Sequence, residues 1–327
     1  MISSINNWDK KKVGVIGTGY WGRKHVEEYK KIGIIPVVYD KDPKKRQEMK
    51  DLYQVQTVAT LEELLTDNTI IGASICTPNN THHEVASRVI EAGKHLLLEK
   101  PMTLNFETSI DLIQKAEKHK VILSVGHLFR FNNAVRHLRE LIHKEKLGQV
   151  YMVKLNWSNL EPIFENRDVL FDLAPHPFDI LDFIFDQQID QISCIGKAFR
   201  KQEGEEAVFL NGMIGDILVH LEVNWLSLPK SREIIVTGEF GSIIVDTMKQ
   251  TLDVINNGHS YSPDIIPSNT IQEELIHFAK CINEGEDSLV DGMTGARIVK
   301  TIELARQSLK NRITVYRELE NDGIITH

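Results

Sequence analysis

The stretch VGVIGTGYWG, residues 13–22, decides how the amino-terminal half of the chain folds. VGVI suits a buried strand, glycines follow at positions 17, 19 and 22, and an amphipathic stretch begins at residue 24. In such a strand-turn-helix unit, one glycine makes the tight turn, one lets the backbone approach a pyrophosphate, and one lets helix and strand pack closely. The stretch therefore predicts a dinucleotide-binding βαβ unit. Its candidate cofactor-binding residues are Gly17, Thr18, Gly19, Tyr20, Trp21 and Gly22.

Asp40 stands at the end of the next predicted strand, about 20 residues beyond the glycine turn. A carboxylate at this place can accept hydrogen bonds from both ribose hydroxyls, and it would repel a 2′-phosphate. Asp40 therefore predicts NAD as the cofactor in preference to NADP. Lys41 beside it either weakens that preference or is a solvated turn residue.

Short apolar runs alternate with amphipathic stretches from residue 13 to about residue 125, which is typical of parallel strands joined by crossover helices. The predicted strands are residues 13–16, 35–39, 72–77, 95–98 and 121–125. Gly33 and Gly93 stand where the intervening helices should end. This half predicts an α/β Rossmann fold with a doubly wound parallel sheet.

After residue 126 the pattern predicts an α+β domain with an antiparallel sheet. Gly215-Asp216 and Asn257-Gly258 are two-residue hairpin signals, so neighbouring strands should run antiparallel. The predicted elements are helices at 134–143, 171–185, 271–283 and 294–309, a strand at 150–157, and successive strands after residue 185.

The composition is that of a two-domain globular protein. A chain of 327 residues with 42% hydrophobic content is long enough for two cores, predicted as a cofactor domain at 1–126 and a substrate-binding and oligomerisation domain at 127–327. The carboxy-terminal helices could pack back on the cofactor domain. The net charge of −8 comes from scattered acidic residues, which argues against nucleic acid or a membrane surface as partner. Three distant cysteines and a polar amino end, without a long apolar segment, predict a cytoplasmic protein.

Five motifs occur in the order seen in one family of oxidoreductases. They are GTGYWG at 17–22, TPNNTH at 77–82, EKP at 99–101, GHLFRF at 126–131 and DLAPH at 172–176. Together they resemble the glucose-fructose oxidoreductase, inositol dehydrogenase and rhizopine catabolism (Gfo/Idh/MocA) family. The resemblance implies a large, mostly antiparallel open sheet in the second domain, and hydride transfer between nicotinamide and a sugar, cyclitol or sugar-nucleotide carbon.

The resemblance also assigns residues to the cofactor site. It places Trp21 at the nicotinamide, although this side chain could instead fill the seam between helix and sheet. It places five further residues beside the cofactor: Thr77, Pro78, Asn79, His82 and Glu99.

Lys100 is the first catalytic candidate. It lies between Glu99 and Pro101 at the carboxyl end of a predicted strand, where ligands bind in open α/β sheets. An ammonium there can contact the cofactor and polarise a carbonyl oxygen or orient an alcohol. The alternative is a surface loop lysine, which the run LLLEKP disfavours.

His176 is the candidate acid/base, because imidazole titrates near operating pH. The residues alone leave a hydrogen-bonded, half-buried histidine open as the alternative, and the family pattern favours the catalytic role. Asp172 either shares its face or caps a helix. Relatives often have glycine between this aspartate and histidine, whereas Ala174 and Pro175 stand here, and Pro177 follows. Prolines so placed predict a first helical turn that holds His176 near a helix amino end.

The variant DLAPH resembles a subgroup that acts on nucleotide-linked acetamido sugars at C3. Arg130 and Arg167 are candidate clamps for a substrate phosphate or carboxylate, or partners of local acids such as Asp168. The histidines and carboxylates lack metal-ligand spacing, so no metal is predicted.

The leading hypothesis is therefore an NAD-dependent dehydrogenase of a sugar or sugar nucleotide, with C3 of a UDP-acetamido sugar favoured. Two alternatives stay open: an NAD-dependent glycoside hydrolase that oxidises C3 transiently, and an NAD-binding regulator, against which Lys100 and His176 argue. An exposed face of the second sheet would need a cover, which predicts a homo-oligomer, dimer or tetramer.

Overall fold

The computed structural model describes residues 11–165, 167–256 and 258–317. The chain divides into two compact units. The first contains the residues up to Phe131 together with Asn269–Val299, and the second contains Asn132–Ser268 and the residues from Lys300 onward. The domain bounds taken from the sequence, 1–126 and 127–327, remain a prediction.

The first unit is built on a parallel sheet of six strands within the described residues. The strands are β1 (Lys12–Ile16), β2 (Ile35–Tyr39), β3 (Gln56–Thr57), β4 (Ile70–Ile75), β5 (His95–Glu99) and β6 (Leu123–Gly126). Their order, β3-β2-β1-β4-β5-β6, reverses direction between β1 and β4, as in a doubly wound fold. The predicted Rossmann sheet is confirmed, and only the two-residue β3 was not predicted.

Helices cover both faces of this sheet. The α-helices of both units, within the described residues, are α1 (Tyr20–Lys31), α2 (Pro43–Tyr53), α3 (Leu61–Thr66), α4 (His82–Glu91), α5 (Phe106–His119), α6 (Asn133–His143), α7 (Val169–Asp172), α8 (Pro175–Phe185), α9 (Thr270–Glu284) and α10 (Gly292–Asn311). Strand residues alternate between two buried clusters, so Ile16 and Leu98 face one and Val15 and Leu97 face the other. This double burial explains the nearly continuous apolar runs.

The second unit contains a sheet of nine strands within the described residues. They are β7 (Val150–Ser158), β8 (Gln191–Lys197), β9 (Ala207–Ile214), β10 (Ile217–Asn224), β11 (Ser231–Gly238), β12 (Gly241–Asp246), β13 (Thr251–Asn256), β14 (His259–Tyr261) and β15 (Val315–Tyr316). The order is β14-β13-β12-β11-β7-β10-β9-β8-β15. Every neighbouring pair is antiparallel except β7 and β10, which are parallel, so the predicted large, mostly antiparallel sheet is confirmed.

Both predicted hairpins form. Ile214 pairs with Ile217 across Gly215-Asp216, and Asn256 pairs with His259. Gly258 has a φ of +83°, as a tight hairpin turn requires, whereas Asn257 lies outside the described residues.

The helix predicted at 171–185 forms over 175–185 as α8, but its predicted start is wrong, because residues 169–172 form a separate helix, α7. A continuous helix would need an N–H from Pro175 toward the carbonyl of Phe171, and proline has none. Pro175 instead occupies the first position of α8, where a missing N–H costs nothing. The predicted placement of both prolines in a first helical turn is confirmed.

Among the described residues, helices cover one face of the second sheet and leave the other open. Helix α6 contacts β12 and β13, and α7 contacts β9 and β10. On the opposite face, the side chains of Ile195, Phe209, Leu218 and Met152 are exposed to 77%, 47%, 58% and 40%. These four residues define the open sheet face. Among the described residues, no helix has the length and apolar character needed to cross a membrane.

Candidate active site

Two glycines of the first turn are required by the chain itself. Gly17 has a φ of +87°, its N–H donates to the carbonyl of Tyr39 at 2.8 Å, and a Cβ there would lie 2.8 Å from the Cys76 carbonyl oxygen. A Cβ on Gly22 would lie 1.9 Å from the carbonyl oxygen of Gly17. These positions therefore hold the turn tight and α1 close to β1.

Gly19 is different, because no described atom beyond Gly19 and its two chain neighbours lies within 4 Å of the place its Cβ would take, and its φ is an ordinary −64°. The space above this residue, at the amino end of α1, is open. The first turn of α1 has no acidic residue and no side-chain cap, so its N–H groups and positive dipole end suit a phosphate. The turn thus fits the pyrophosphate of a dinucleotide. Tyr20 is exposed, and its ring meets that of Trp21, which is half-buried, edge to face at 5.3 Å.

Asp40 follows β2 and is fastened to the glycine turn. Its Oδ2 accepts hydrogen bonds from the Thr18 backbone N–H at 2.7 Å and from the Thr18 hydroxyl at 2.8 Å. Its Oδ1 accepts from the N–H of Asp42 at 3.0 Å, which leaves it further acceptor capacity. Burial alone would raise the pKa of Asp40, but the hydrogen bonds from Asp42 and Thr18 hold that pKa below its usual value. The neighbouring Lys41 is exposed.

His82 joins two loops at the carboxyl edge of the sheet. Its Nε2 lies 3.0 Å from the carbonyl oxygen of Thr77, and its Nδ1 lies 2.9 Å from that of Pro101. Burial lowers the pKa of His82, although these carbonyls oppose the shift. His82 is fully buried, so it supports the loops that carry the predicted cofactor contacts. Pro78 and Asn79 lie in the first of these loops, directly after Thr77.

Glu99 ends β5 and Lys100 follows it, at the same edge of the parallel sheet as the glycine turn. The backbone N–H of Lys100 donates to Glu99 Oε2 at 3.2 Å. The other oxygen, Oε1, lies 3.1 Å from Nε2 of His25. A Cβ on Gly126 would lie 3.2 Å from Glu99 Oε2, so glycine there leaves room for the carboxylate.

Sequence reasoning missed His25. The buried residues of α1 include Gly22, His25, Val26 and Tyr29, which recur at helical spacing. A histidine on this otherwise apolar stripe was the available signal. Among the described residues, one group of potential metal ligands lies close enough together to share an ion. It consists of His25, Cys76 and Glu99, whose ligand atoms lie within 4.8 Å of one another. The two ring nitrogens of His25 face different partners, which suits a hydrogen-bond chain better than one ion.

In the second unit, Asp172 ends α7 and accepts a hydrogen bond from Trp225 Nε1 at 3.2 Å. The capping role that the sequence left open for Asp172 is wrong. Asp168 caps α7 by accepting from the Phe171 N–H at 2.9 Å, and Ala174, without a side-chain cap bond, begins α8. His176 is buried at the second position of α8, near the helix amino end as predicted.

Sequence reasoning also missed Trp225 and Arg232, since neither belongs to a motif. Both are buried. Arg232 donates to the Ser158 carbonyl at 2.9 Å and to Asn159 Oδ1 at 2.6 Å. Burial lowers the pKa of Arg232 to about 10, while the charges of Asp172 and Glu161 oppose the shift.

The two arginines proposed as substrate clamps have contacts with the chain itself. Arg130, in the first unit, is buried, and its Nη1 lies 3.4 Å from the carbonyl oxygen of Leu289. Arg167, in the second unit, is exposed, with its guanidinium 4.8 Å from the ring centroid of Phe164. Asp168 has Arg306, at 4.0 Å, as its ion-pair partner. The clamp role stays a prediction.

The doubly wound sheet, the glycine turn and the carboxylate after β2 define a dinucleotide-binding protein of the Rossmann class. Residues 11–127 match the oxidoreductase family with an NAD-binding Rossmann fold, and residues 135–244 match the Gfo/Idh/MocA C-terminal domain. The chain belongs to the Gfo/Idh/MocA family, and it is an NAD-binding oxidoreductase.

Characterised relatives are similar over most of their length. The UDP-N-acetylglucosamine 3-dehydrogenase of Acidithiobacillus ferrooxidans is 24% identical over 298 residues, which cover 88% of this chain and 94% of the relative. The myo-inositol 2-dehydrogenase of Thermotoga maritima is 25% identical over 329 aligned residues, with 94% and 98% covered. A solved structure of the first superposes with a TM-score of 0.84 at 22% identity, covering 92% and 98%, and shows that the fold is shared.

Proposed function

We propose that the chain is an NAD-dependent dehydrogenase that transfers hydride between nicotinamide and a secondary alcohol or ketone of a sugar nucleotide. The proposed reaction is oxidation at C3 of a UDP-linked acetamido sugar. The observation that carries the proposal is the position of Lys100, which follows β5 at the edge of the sheet where β1 leads into the glycine turn. Ligands of doubly wound sheets bind at this edge.

Each catalytic residue has a distinct proposed role. The open turn at Gly19 and the carboxylate of Asp40 would hold NAD, which would supply the hydride acceptor. The Lys100 ammonium stabilises the negative charge that develops on the substrate oxygen. His176 accepts the hydroxyl proton, and Asp172, held by Trp225, orients and supports the imidazolium that forms.

Three observations support a sugar nucleotide as the substrate. The motif DLAPH resembles the subgroup that acts on such sugars, and one relative is named a UDP-N-acetylglucosamine 3-dehydrogenase. The second unit also places cationic side chains over aromatic rings. Lys201 Nζ lies 5.2 Å from the ring centroid of Trp225, and the Arg167 guanidinium lies over the ring of Phe164. Cationic and aromatic groups together suit the nucleoside diphosphate of such a substrate. Arg167 is the proposed phosphate contact on this surface.

A substrate screen tests this proposal. The full chain is incubated with NAD and, separately, UDP-N-acetylglucosamine, free N-acetylglucosamine and myo-inositol, and NADH absorbance is followed. A 2-keto acid is added in a parallel series to reoxidise cofactor that stays bound. We expect turnover with the UDP-sugar. Sugar release without net NADH would establish the hydrolase instead, and NAD binding without turnover of any substrate would contradict a dehydrogenase.

We also propose that the protein is a cytoplasmic homo-oligomer that associates through the open sheet face. Four apolar side chains on this face, those of Ile195, Phe209, Leu218 and Met152, are exposed, and a second copy would cover them. Cys76, Cys194 and Cys281 form no disulfide, which supports a reducing compartment.

A further inference from the structure

A chain of mostly buried contacts links α1, the helix that follows the glycine turn, to Glu99, the residue before Lys100. Nδ1 of His25 lies 3.7 Å from the Cys76 sulfur, and Nε2 lies 3.1 Å from Glu99 Oε1. Glu99 Oε2 accepts the backbone N–H of Lys100 at 3.2 Å. The His25 side chain is 1% exposed and Glu99 is 6% exposed, so water does not compete for these contacts.

The partners set the direction of the hydrogen bonds. Burial, together with the charges of Glu99 and Glu274, raises the pKa of the Cys76 thiol well above its usual value, so the thiol keeps its proton. A thiol can donate to Nδ1, which leaves the ring proton on Nε2, facing the Glu99 carboxylate. Each oxygen of Glu99 thus receives one N–H, from His25 and from Lys100.

The surroundings of His25 hold its ring in place. The ring of Tyr29 lies across it at 81°, with the centroids 6.4 Å apart. The Tyr29 hydroxyl is hydrogen-bonded to the Ser74 hydroxyl at 2.8 Å. A ring fixed on α1, three residues after Gly22, therefore presents its N–H to the last residue of β5.

We propose that His25 is a positioning residue for hydride transfer, which acts through Glu99 to hold the Lys100 backbone at the carboxyl end of β5. This inference rests on the proposed function, in which Lys100 is catalytic. Without the His25 donor, a buried carboxylate loses half of its hydrogen bonds, and the Glu99 side chain turns toward other donors. Lys100 then loses its backbone anchor while the glycine turn and Asp40 stay intact.

Two substitutions of His25 separate positioning from packing. In His25→Gln the amide nitrogen can take the place of Nε2 and donate to Glu99, whereas in His25→Asn it reaches only the Nδ1 position. His83→Asn is the matched control, because His83 lies in the same unit, is half-exposed and pairs with Asp111. The full chain is measured by amide exchange in the peptide that contains Lys100, with NAD present, and by kcat and the KM for NAD with UDP-N-acetylglucosamine as the second substrate.

We expect His25→Asn to speed exchange at Lys100 and to lower kcat by about 10- to 100-fold, as the loss of a charge-assisted buried hydrogen bond implies. The KM for NAD should stay within about threefold, since the phosphate and ribose contacts are untouched. His25→Gln should recover both exchange protection and kcat, and His83→Asn should match the wild type. If His25→Asn fails to fold, His25→Met, which offers no donor, is compared with His25→Gln in its place.

Wild-type exchange and kcat in His25→Asn would overturn the proposal, as would equal damage in His25→Gln. Lys100→Met, measured in parallel, separates this failure from failure of the proposed function. If Lys100→Met retains turnover, or if the UDP-sugar is not a substrate, the proposed function fails. The exchange measurement still decides in that case whether His25 holds Lys100.

Discussion

Asp40 differs from an ordinary aspartate at a strand end because the chain itself donates three hydrogen bonds to it. These bonds fix the carboxylate beside the glycine turn and keep it ionised, since they lower its pKa against the effect of burial. A fixed negative charge near the ribose selects against a 2′-phosphate. We therefore expect Asp40 and its Thr18 donor to decide the choice between NAD and NADP.

We predict that the protein binds NAD more tightly than NADP, and that Asp40→Asn narrows the difference. The asparagine oxygen can still accept from Thr18, so the turn keeps its shape while the repulsive charge is gone. Asp40→Ala should weaken NAD as well, because the Thr18 donors lose their acceptor. Equilibrium titration of both cofactors checks this. Equal or tighter NADP binding by the wild-type protein would contradict it.

Lys100→Met keeps the length of the side chain and removes its charge. Because the ammonium is expected to act on charge that develops in the transition state, turnover should fall by several orders of magnitude while NAD affinity stays near normal. Single-turnover measurement of NADH formation with the substrate from the screen checks this. Near-normal hydride transfer would leave Lys100 an ordinary loop lysine.

His176→Asn should lower kcat by about 100-fold or more, the effect expected for loss of a general acid/base. Asp172→Asn should be milder if Asp172 only orients the imidazole. Trp225→Phe, which keeps the aromatic packing and removes the N–H that Asp172 accepts, should resemble Asp172→Asn in direction and be smaller. Steady-state kinetics of the three variants rank these losses. A His176→Asn protein with most of its activity would transfer the role to Lys100 or water.

Among the elements of the fold, the sequence predicted those strands, turns and helix ends that a local hydrophobic period or a turn residue encodes. The parallel strands, the Gly215-Asp216 hairpin and the helix ends at Gly33 and Gly93 are all local signals, and all are confirmed. The break between α7 and α8 was missed, although Pro175 was recognised as a first-turn residue, because the apolar pattern continues across it.

Contacts across the sequence could not be predicted in the same way. His25 meets Glu99 from 74 positions away, and Trp225 meets Asp172 from 53 positions away. Neither pair leaves a spacing that one sequence can reveal. The parallel pairing of β7 with β10 is likewise a property of the sheet as a whole. The candidate site was therefore predicted through its motifs, and its supporting residues appeared only with the structure.

The glycine turn and α1 allow a test in which two similar substitutions have different outcomes. Gly22→Ala would place a Cβ 1.9 Å from the Gly17 carbonyl oxygen, so α1 must shift and the thermal unfolding midpoint should drop by several degrees. Gly19→Ala meets no described atom within 4 Å, so it should fold normally and lose NAD affinity alone. Calorimetry and NAD titration check both. Normal NAD affinity in Gly19→Ala would place the pyrophosphate elsewhere.

For the whole molecule, the acidic net charge argues against a polyanion as partner, whereas the open sheet face favours a protein partner. A charge of −8 gives no reason to expect a polyanion, whereas exposed Ile195, Phe209 and Leu218 lie on adjacent strands of one face. Isolated apolar side chains on a surface need no explanation, but a set on one sheet face resembles an interface. A second copy of the chain presents the same face, so the pairing would be self-complementary.

We therefore predict that the protein is a dimer or tetramer in solution, and that Phe209→Glu with Leu218→Glu shifts it toward the monomer. Charges on the open sheet face would have to be buried without partners in the oligomer, which is costly, whereas in the monomer they stay in water. Leu52→Glu, at an exposed leucine of the first unit, is the control and should leave the mass unchanged. Light scattering over a range of concentrations measures the mass. A wild-type monomer at all concentrations, or a double variant that remains oligomeric, would show that this face is not the interface.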